Sequence, residues 1–170
     1  MKALPTFDFM ASQLRHEDGH LYRLVSNNNR FKVGDKAGYF DSYGYLQVKV
    51  GGTICLAHRI VWLLTYREWP CSNIDHINGD RADNRPENLR LCNQSQNGGN
   101  RKVNKGRMYG VASKGVTLKP WGKFLAQIRC EGKNKYIGIF ATEAEASAAY
   151  NLAALAAFGE FANVKPKEPS

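Results

Sequence analysis

Asp75 and His76 are neighbours in the run Ile74-Asp75-His76-Ile77, and two asparagines follow them at Asn88 and Asn97. The run reads as a short strand, in which successive side chains leave on opposite faces. One of the pair can therefore hold a cation while the other faces a substrate pocket. A carboxylate and an amide oxygen are hard donors. They suit Mg²⁺ or Mn²⁺ better than zinc and leave positions open for water and phosphate oxygens. A neutral histidine is a competent general base toward water near pH 7. The other candidate groups read as structural. His16 and His20 are spaced like ligands but bracket a stretch that reads as a turn. His58 opens an apolar helix. Cys55, Cys71, Cys92 and Cys130 include no Cys-x-x-Cys pair, so neither a zinc site nor a disulfide framework is expected.

These residues need elements to hold them. Tyr45–Val50 and Thr53–Ala57 alternate apolar and polar residues on either side of Gly51-Gly52, the pattern of a β-hairpin whose two turn positions need positive φ. His58 to Arg67 reads as a helix that is apolar around most of its circumference, through Ile60, Val61, Trp62, Leu63 and Leu64. It should pack under the hairpin and end at Trp69-Pro70. Residues 71–97 are rich in Asn and Asp and short of apolar side chains. Such a stretch seldom folds unless organised around something, and a metal site is one candidate. Within it Asn78-Gly79-Asp80 is a turn, Pro86 suits the first turn of a brief helix, and Arg90-Leu91-Cys92 is extended. Asn93 or Ser95 can cap a helix through Asn100.

The 170-residue chain carries a formal charge of +9, unevenly spread. Residues 98–140 hold ten cations (Arg101, Lys102, Lys105, Arg107, Lys114, Lys119, Lys123, Arg129, Lys133 and Lys135) against Glu131 alone. A localised positive block suggests a polyanion partner, most commonly nucleic acid. Residues 98–107 read as a basic linker, able to span roughly 30 Å if extended and to track a phosphate backbone. Beyond it, Tyr109–Ser113, Lys123–Cys130 and Lys135–Phe140 read as three strands, with Glu131–Asn134 the turn between the last two. Lys123, Leu125, Gln127 and Arg129 fall on one face, and Phe124, Ala126, Ile128 and Cys130 on the other. Thr142-Glu143-Ala144-Glu145 is a capping box, the helix after it runs to Phe158, and Gly159 stops it. Alanines 146, 149, 153 and 156 should let this helix approach the sheet closely.

The runs His58-Arg59-Ile60-Val61-Trp62, Ile74-Asp75-His76-Ile77-Asn78-Gly79-Asp80-Arg81, Asp83-Asn84-Arg85-Pro86-Glu87-Asn88-Leu89-Arg90-Leu91 and Ser95-Gln96-Asn97 together resemble HNH endonucleases of the phage and intron-encoded homing type, over residues 40–100. The resemblance implies a ββα-metal finger around one divalent cation, Mg²⁺ or Mn²⁺. It makes Asp75 the first metal ligand and Asn97 the second, with Asn93 and Asn100 as other candidates for that position. It makes His76 the general base, and Asn88 the residue that orients His76 and steadies the loop. The family's last position is often histidine; asparagine here weakens the site for zinc. The implied reaction is phosphodiester hydrolysis leaving 5′-phosphate and 3′-hydroxyl ends.

Further along, Tyr109-Gly110-Val111, Pro120-Trp121-Gly122-Lys123-Phe124, Ala126-Gln127-Ile128-Arg129, Tyr136-Ile137-Gly138-Ile139-Phe140, Thr142–Ala146 and Ala149–Ala154 resemble the plant ethylene-response-factor (APETALA-type) DNA-binding domain, which also occurs fused to homing nucleases. That implies a sheet, rather than a helix, in the major groove. Gln127 and Arg129 then have the geometry for base edges. Lys114, Lys119, Lys133 and Lys135 suit phosphates. Trp121 suits either the sugar-phosphate backbone or packing at the hairpin turn.

The expectation is thus an α+β chain: a nuclease part over 1–97 with its core at 40–97, a linker over 98–107, a sheet-type reader over 108–164 and a tail over 165–170. It would act on double-stranded DNA as a metal-dependent endonuclease. The alternative is a sequence-specific DNA-binding protein whose HNH part is inactive. One such centre cuts one strand, so a monomer would nick and double-strand cleavage would need a dimer or two events. No run approaches membrane-helix length and no secretory signal is visible, so the expected place of action is the cytoplasm, that of a bacterial host if the chain is phage-encoded.

Overall fold

The computed structural model describes residues 4–26, 31–101, 111 and 113–164. Its contacts divide the chain into two units, Met1–Cys92 and Asn93–Ser170. The division falls five residues before the boundary expected from the sequence, so the helix after Cys92 groups with the second unit. The architecture is α+β, with several short antiparallel sheets and four α-helices among the described residues.

In the first unit, helix α1 (Phe7–Gln13) starts where the Thr6 side chain accepts from the Phe9 N–H at 3.3 Å. Met10 and Leu14 lie one turn apart and are buried. Strands β1 (Leu14–Glu17) and β2 (His20–Arg23) follow as a hairpin through Asp18 (φ 50°) and Gly19 (φ 75°), both left-handed as a two-residue turn requires. His16 and His20 therefore stand in strands that flank the turn. Strands β3 (Tyr39–Phe40), β4 (Leu46–Val50) and β5 (Thr53–Leu56) form a three-stranded sheet. Gly51 (φ 55°) and Gly52 (φ 78°) make its turn at the expected position. Helix α2 (Ala57–Tyr66) buries Ala57, Ile60, Val61 and Leu63 against Met10, Leu14, Leu21, Val48 and Val50. Removing these side chains from water drives the fold of this unit, at about 1.5–3 kcal/mol for each large aliphatic chain. Strands β6 (Asn73–His76) and β7 (Leu89–Cys92) pair in the register Asn73↔Cys92 to His76↔Leu89.

The second unit opens with α3 (Gln94–Asn100), followed by β8 (Val116–Leu118), β9 (Phe124–Cys130), β10 (Lys133–Phe140) and α4 (Glu143–Phe158). Residues 98–100, expected in a linker, are the last turn of α3; Lys102, Lys105 and Arg107 lie outside the described residues. The sheet has the order β10-β9-β8. Its first strand is Val116–Leu118 and not Tyr109–Ser113; of the latter, residues 109, 110 and 112 lie outside the described residues, and Val111 and Ser113 are not in a strand. The segment between Ser113 and Lys119 holds this strand, because Val116 alternates inward and pairs with Ala126. The capping box at Thr142 and Glu145 has both of its hydrogen bonds, and Gly159 caps the far end. The face that α4 buries is Ala146, Tyr150, Ala154 and Phe158, one residue per turn. Ala149 and Ala153 are half-buried at its edge, and Ala156 is exposed. The small residues matter, but Tyr150 rather than a fourth alanine fills the centre. Among the described residues no helix is long and apolar enough to cross a membrane.

Candidate active site and nucleic-acid face

The first unit places its polar residues in an unusual position: His58, Asp75, His76, Asn84 and Asn88 are all buried, none more than 6% exposed. Buried polar groups are costly unless each has partners. Those partners define the site.

Strand β6 supplies Asp75 and His76 on opposite faces. Arg59 of α2 donates to the carbonyls of Pro70 and Ser72, at 3.3 and 3.4 Å, and so fixes the chain as it enters that strand. On one face the Asp75 carboxylate meets Arg90, its register partner on β7. Arg90 Nε and Nη2 both donate to Asp75 Oδ2, at 3.0 and 2.9 Å. On the other face, His76 Nε2 lies 3.1 Å from Asn84 Oδ1. The Asn84 amide nitrogen donates to the Ala82 carbonyl, which turns the oxygen toward the ring. In the tautomer that carries its proton on Nε2, the imidazole donates to this oxygen.

The loop from Ile77 to Asn88 is short of apolar residues but rich in internal bonds. Asn88 Oδ1 accepts from the Asn78 N–H at 3.0 Å, and its amide donates to Asn78 Oδ1 and to the Asp83 carbonyl. All of its side-chain bonds thus go to the loop. The resemblance gives Asn88 the task of orienting His76 as well, yet the asparagine that meets the ring is Asn84. Asp83 takes a fork from Arg85 Nε and Nη2, both at 2.9 Å. That hydrogen bonding brings the Asp83 carboxyl down to about 2. Arg81 reaches back to the Tyr43 carbonyl at 2.6 Å and lies over the Tyr45 ring, tying the loop to the turn after β3. A set of amides and carboxylates at turn positions organises this segment.

His58 completes the site. Its ring meets the His76 ring edge-on, with centroids 5.1 Å apart and planes at 90°, and Tyr45 packs on both. Burial, with smaller contributions from His76 and Arg59, drives its pKa down to about 3. It is a neutral wall beside His76. Among the described residues, no three His, Cys, Asp or Glu side chains gather where a metal could be held. Asp75 is the one carboxylate on β6. Asn97 lies on α3 in the second unit, and so do Asn93, the N-cap of that helix, and Asn100 at its end.

In the second unit, Gln127 and Arg129 are exposed on the outer face of β9. Their register partners are Tyr136 and Asn134, and directly paired residues share a face. Tyr136 is 68% exposed, an aromatic that the sequence reading does not single out. Lys133 and Lys135 pair with Cys130 and Ile128, which places them on the opposite face from Arg129. Lys123 is exposed just before β9, and Trp121 is 63% exposed in the turn formed by Lys119 to Gly122. Lys119 is half-buried. Lys114 turns inward: its ammonium donates to the Gly99 carbonyl, and burial brings its pKa down to about 8. Arg101 and Arg129, with Ser95 and Gly132, line an open concavity of about 800 Å³.

A family model described as HNH endonuclease matches residues 55–98, from β5 into α3. The ethylene-responsive transcription factor ERF117 of Arabidopsis thaliana is 44% identical to this chain over 68 residues, which cover 39% of the chain and 19% of that protein. The chain thus spans about a fifth of that relative's length. No solved structure matches the chain. The chain thus has a region similar to HNH endonucleases and a likeness to an ethylene-responsive transcription factor.

Proposed function

We propose that this chain works on double-stranded DNA, with its HNH-type region as a hydrolytic centre and the β8–β10 sheet as the surface that reads the duplex. The observation that carries the hydrolytic reading is the buried pair on β6: His76 with Nε2 bound to Asn84, beside Asp75. This bond suits the tautomer that carries its proton on Nε2, and the reading takes Nδ1 as the nitrogen that accepts a proton. The balanced step is simple. A water adds to phosphorus, His76 takes its proton, the bond to the 3′ oxygen breaks, and that oxygen is protonated from solvent. Asn84 holds the ring in plane, His58 and Tyr45 limit its rotation, and Asn88 keeps the loop that carries Asn84 closed.

The donor chemistry fits a hard divalent cation that keeps several waters, because the set is one carboxylate and neutral amides rather than a thiolate or imidazole cage. Asp75 would be its carboxylate donor in the first unit, and bound Mg²⁺ or Mn²⁺ would supply charge stabilisation to the phosphate and the departing oxygen. The outer sheet face supports the DNA reading. It carries Gln127 and Arg129, the two side chains suited to bidentate contacts with adenine and guanine, beside the exposed Tyr136. The Arabidopsis thaliana relative is an ethylene-responsive transcription factor.

A second reading, a DNA-binding protein whose HNH part is silent, is favoured by specific observations. Asp75 is held by Arg90, His76 is only 4% exposed, and no cluster of three metal-binding groups is present among the described residues. Conversion of supercoiled plasmid to open circle in Mg²⁺ separates the two. The hydrolytic reading expects nicking that falls by about 10²- to 10⁴-fold in His76→Ala. Equal nicking by both proteins removes His76 from the chemistry, and duplex binding without any nicking leaves the silent reading.

A further inference from the structure

Helix α3 contains two consecutive glycines, Gly98 and Gly99. Glycine is among the poorest helix formers, so each position calls for a reason. Gly99 has one inside the fold. It is buried, and a Cβ there would sit 2.7 Å from Phe158 Cγ on α4. The Asn163 N–H donates to the Gly99 carbonyl at 3.1 Å, its side-chain amide donates to the Asn100 carbonyl at 2.8 Å, and Lys114 donates to the Gly99 carbonyl as well. Gly98 has no such reason. It is exposed, and a Cβ there would meet no described atom within 4 Å. The fold has room for a side chain at this position and the sequence supplies none. What Gly98 borders is the open concavity between α3 and the β9–β10 turn. The walls of that hollow are polar. Arg101 stands just past α3 and Arg129 near the end of β9, both exposed, and Glu131 is the one acid among the lining residues. Ser95 Oγ accepts from the Glu131 N–H at 3.2 Å, which ties α3 to the turn and leaves the hydroxyl proton for another acceptor.

We infer that this concavity seats a backbone phosphate of the duplex: Arg101 and Arg129 pair with the phosphodiester, and Gly98 is bare so that the sugar-phosphate chain can come against α3. Guanidinium forks match two phosphate oxygens at once, which suits arginine to this place. Arg129 belongs both to the hollow and to the outer face of β9, so the two surfaces are continuous and one DNA strand can cross from one to the other. A contact of this kind reads no base. It fixes where the protein sits along the duplex. Helix α3 is then an arm of the reader, held to it through Gly99, and not the start of a tether. The inference rests on the reading of the β8–β10 sheet as the duplex-binding surface.

Fluorescence anisotropy of the full chain on a duplex selected from a random library, over a salt series, tests it. The variants are Gly98→Leu, Arg101→Ala, their double variant, and Gln127→Ala as a probe of the sheet alone. Leucine at position 98 fills the hollow with a side chain that the fold can accept and that favours the helix, so the melting temperature should be no lower than the parent's. Gly98→Leu and Arg101→Ala should each weaken binding about tenfold, equally on matched and mismatched duplexes. Arg101→Ala should also lower the slope of log affinity against log salt by about 1. The double variant should bind about as weakly as either single one, because both changes act at one hollow. If Gly98→Leu melts below the parent, Arg101→Ala carries the test through its salt slope. Parent affinity in a well-folded Gly98→Leu, an unchanged salt slope in Arg101→Ala, or additive losses in the double variant each overturn the inference. The sheet reading survives those results if Gln127→Ala relaxes preference at one position. Failure of the parent chain to bind any duplex removes the sheet reading and this inference together.

Discussion

Arg90 grips Asp75 from directly across the β6–β7 pair, with Nε and Nη2 both on Oδ2 and both side chains largely out of water. A charge pair in such a place is held by mutual need. Each ion has lost its hydration, and removing one leaves the other stranded. The same carboxylate is the one the hydrolytic reading assigns to a cation, so Arg90 and that cation share a partner.

Arg90→Met should therefore destabilise the first unit by about 3–5 kcal/mol, the cost of an uncompensated buried carboxylate. Asp75→Asn combined with Arg90→Met should restore much of that loss. Urea midpoints of the three proteins check this, and a single variant as stable as the parent would show that the pair carries no weight in the fold.

His58 predicts a loss of stability in acid. Burial holds its pKa near 3 in the folded chain, against an ordinary 6.5. Between those values the unfolded chain binds a proton that the folded chain refuses. Its contribution is thus intact above pH 6.5 and is lost as pH falls, at about 1.4 kcal/mol per pH unit. Denaturant unfolding from pH 7.5 down to 4.5 measures the slope. It should flatten in His58→Phe, and a slope unchanged by that substitution would trace acid sensitivity to other groups.

Gly19 connects the first hairpin to the loop from Ile77 to Asn88. With φ at 75°, a Cβ there would meet the Arg85 nitrogen at 2.4 Å and the Asn84 carbonyl carbon at 2.5 Å. Gly19→Ala should cost upward of about 2 kcal/mol through backbone strain and this clash. Because Asn84 holds His76, it should also lower any nicking activity by more than the lost stability accounts for. Thermal melting and plasmid nicking on the same preparation distinguish the two effects.

On the second unit, the two faces of the sheet should behave differently. Arg129→Ala should weaken binding to a duplex selected from a random library by about 1–3 kcal/mol and relax preference at one position. Lys133→Ala, on the other face, should leave that preference intact. Fluorescence anisotropy over matched and mismatched duplexes in a salt series reads both, and equal loss of preference in the two variants would displace the reading face.

The sequence is most legible where local chemistry decides structure. Gly51-Gly52 marks its hairpin because only positive φ suits both positions, and Thr142 with Glu145 marks the start of α4 because a capping box is a contact between near neighbours. The apolar character of Ile60 to Leu64 announces a buried helix for the same reason. Helix α1 is less visible, since its apolar residues Phe7 and Met10 lie in a short stretch that only the core of the first unit stabilises. The strand Val116–Leu118 is hidden because three residues give too little alternation to register.

Within the site, the sequence by itself determined which groups could do chemistry: Asp75 and His76 are adjacent, and a strand must send them to opposite faces. Their partners were decided by tertiary structure alone. Arg90 reaches Asp75 through strand register, Asn84 reaches His76 through the path of a loop, and His58 reaches His76 because α2 packs beside β6. Nothing in a one-dimensional spacing specifies those distances, since each depends on a backbone placed by the burial of residues far away in the chain. Asn97 is the sharpest case: its helix is too short and too glycine-rich to hold itself, so its place is set by Phe158 and Asn163, some sixty residues further on.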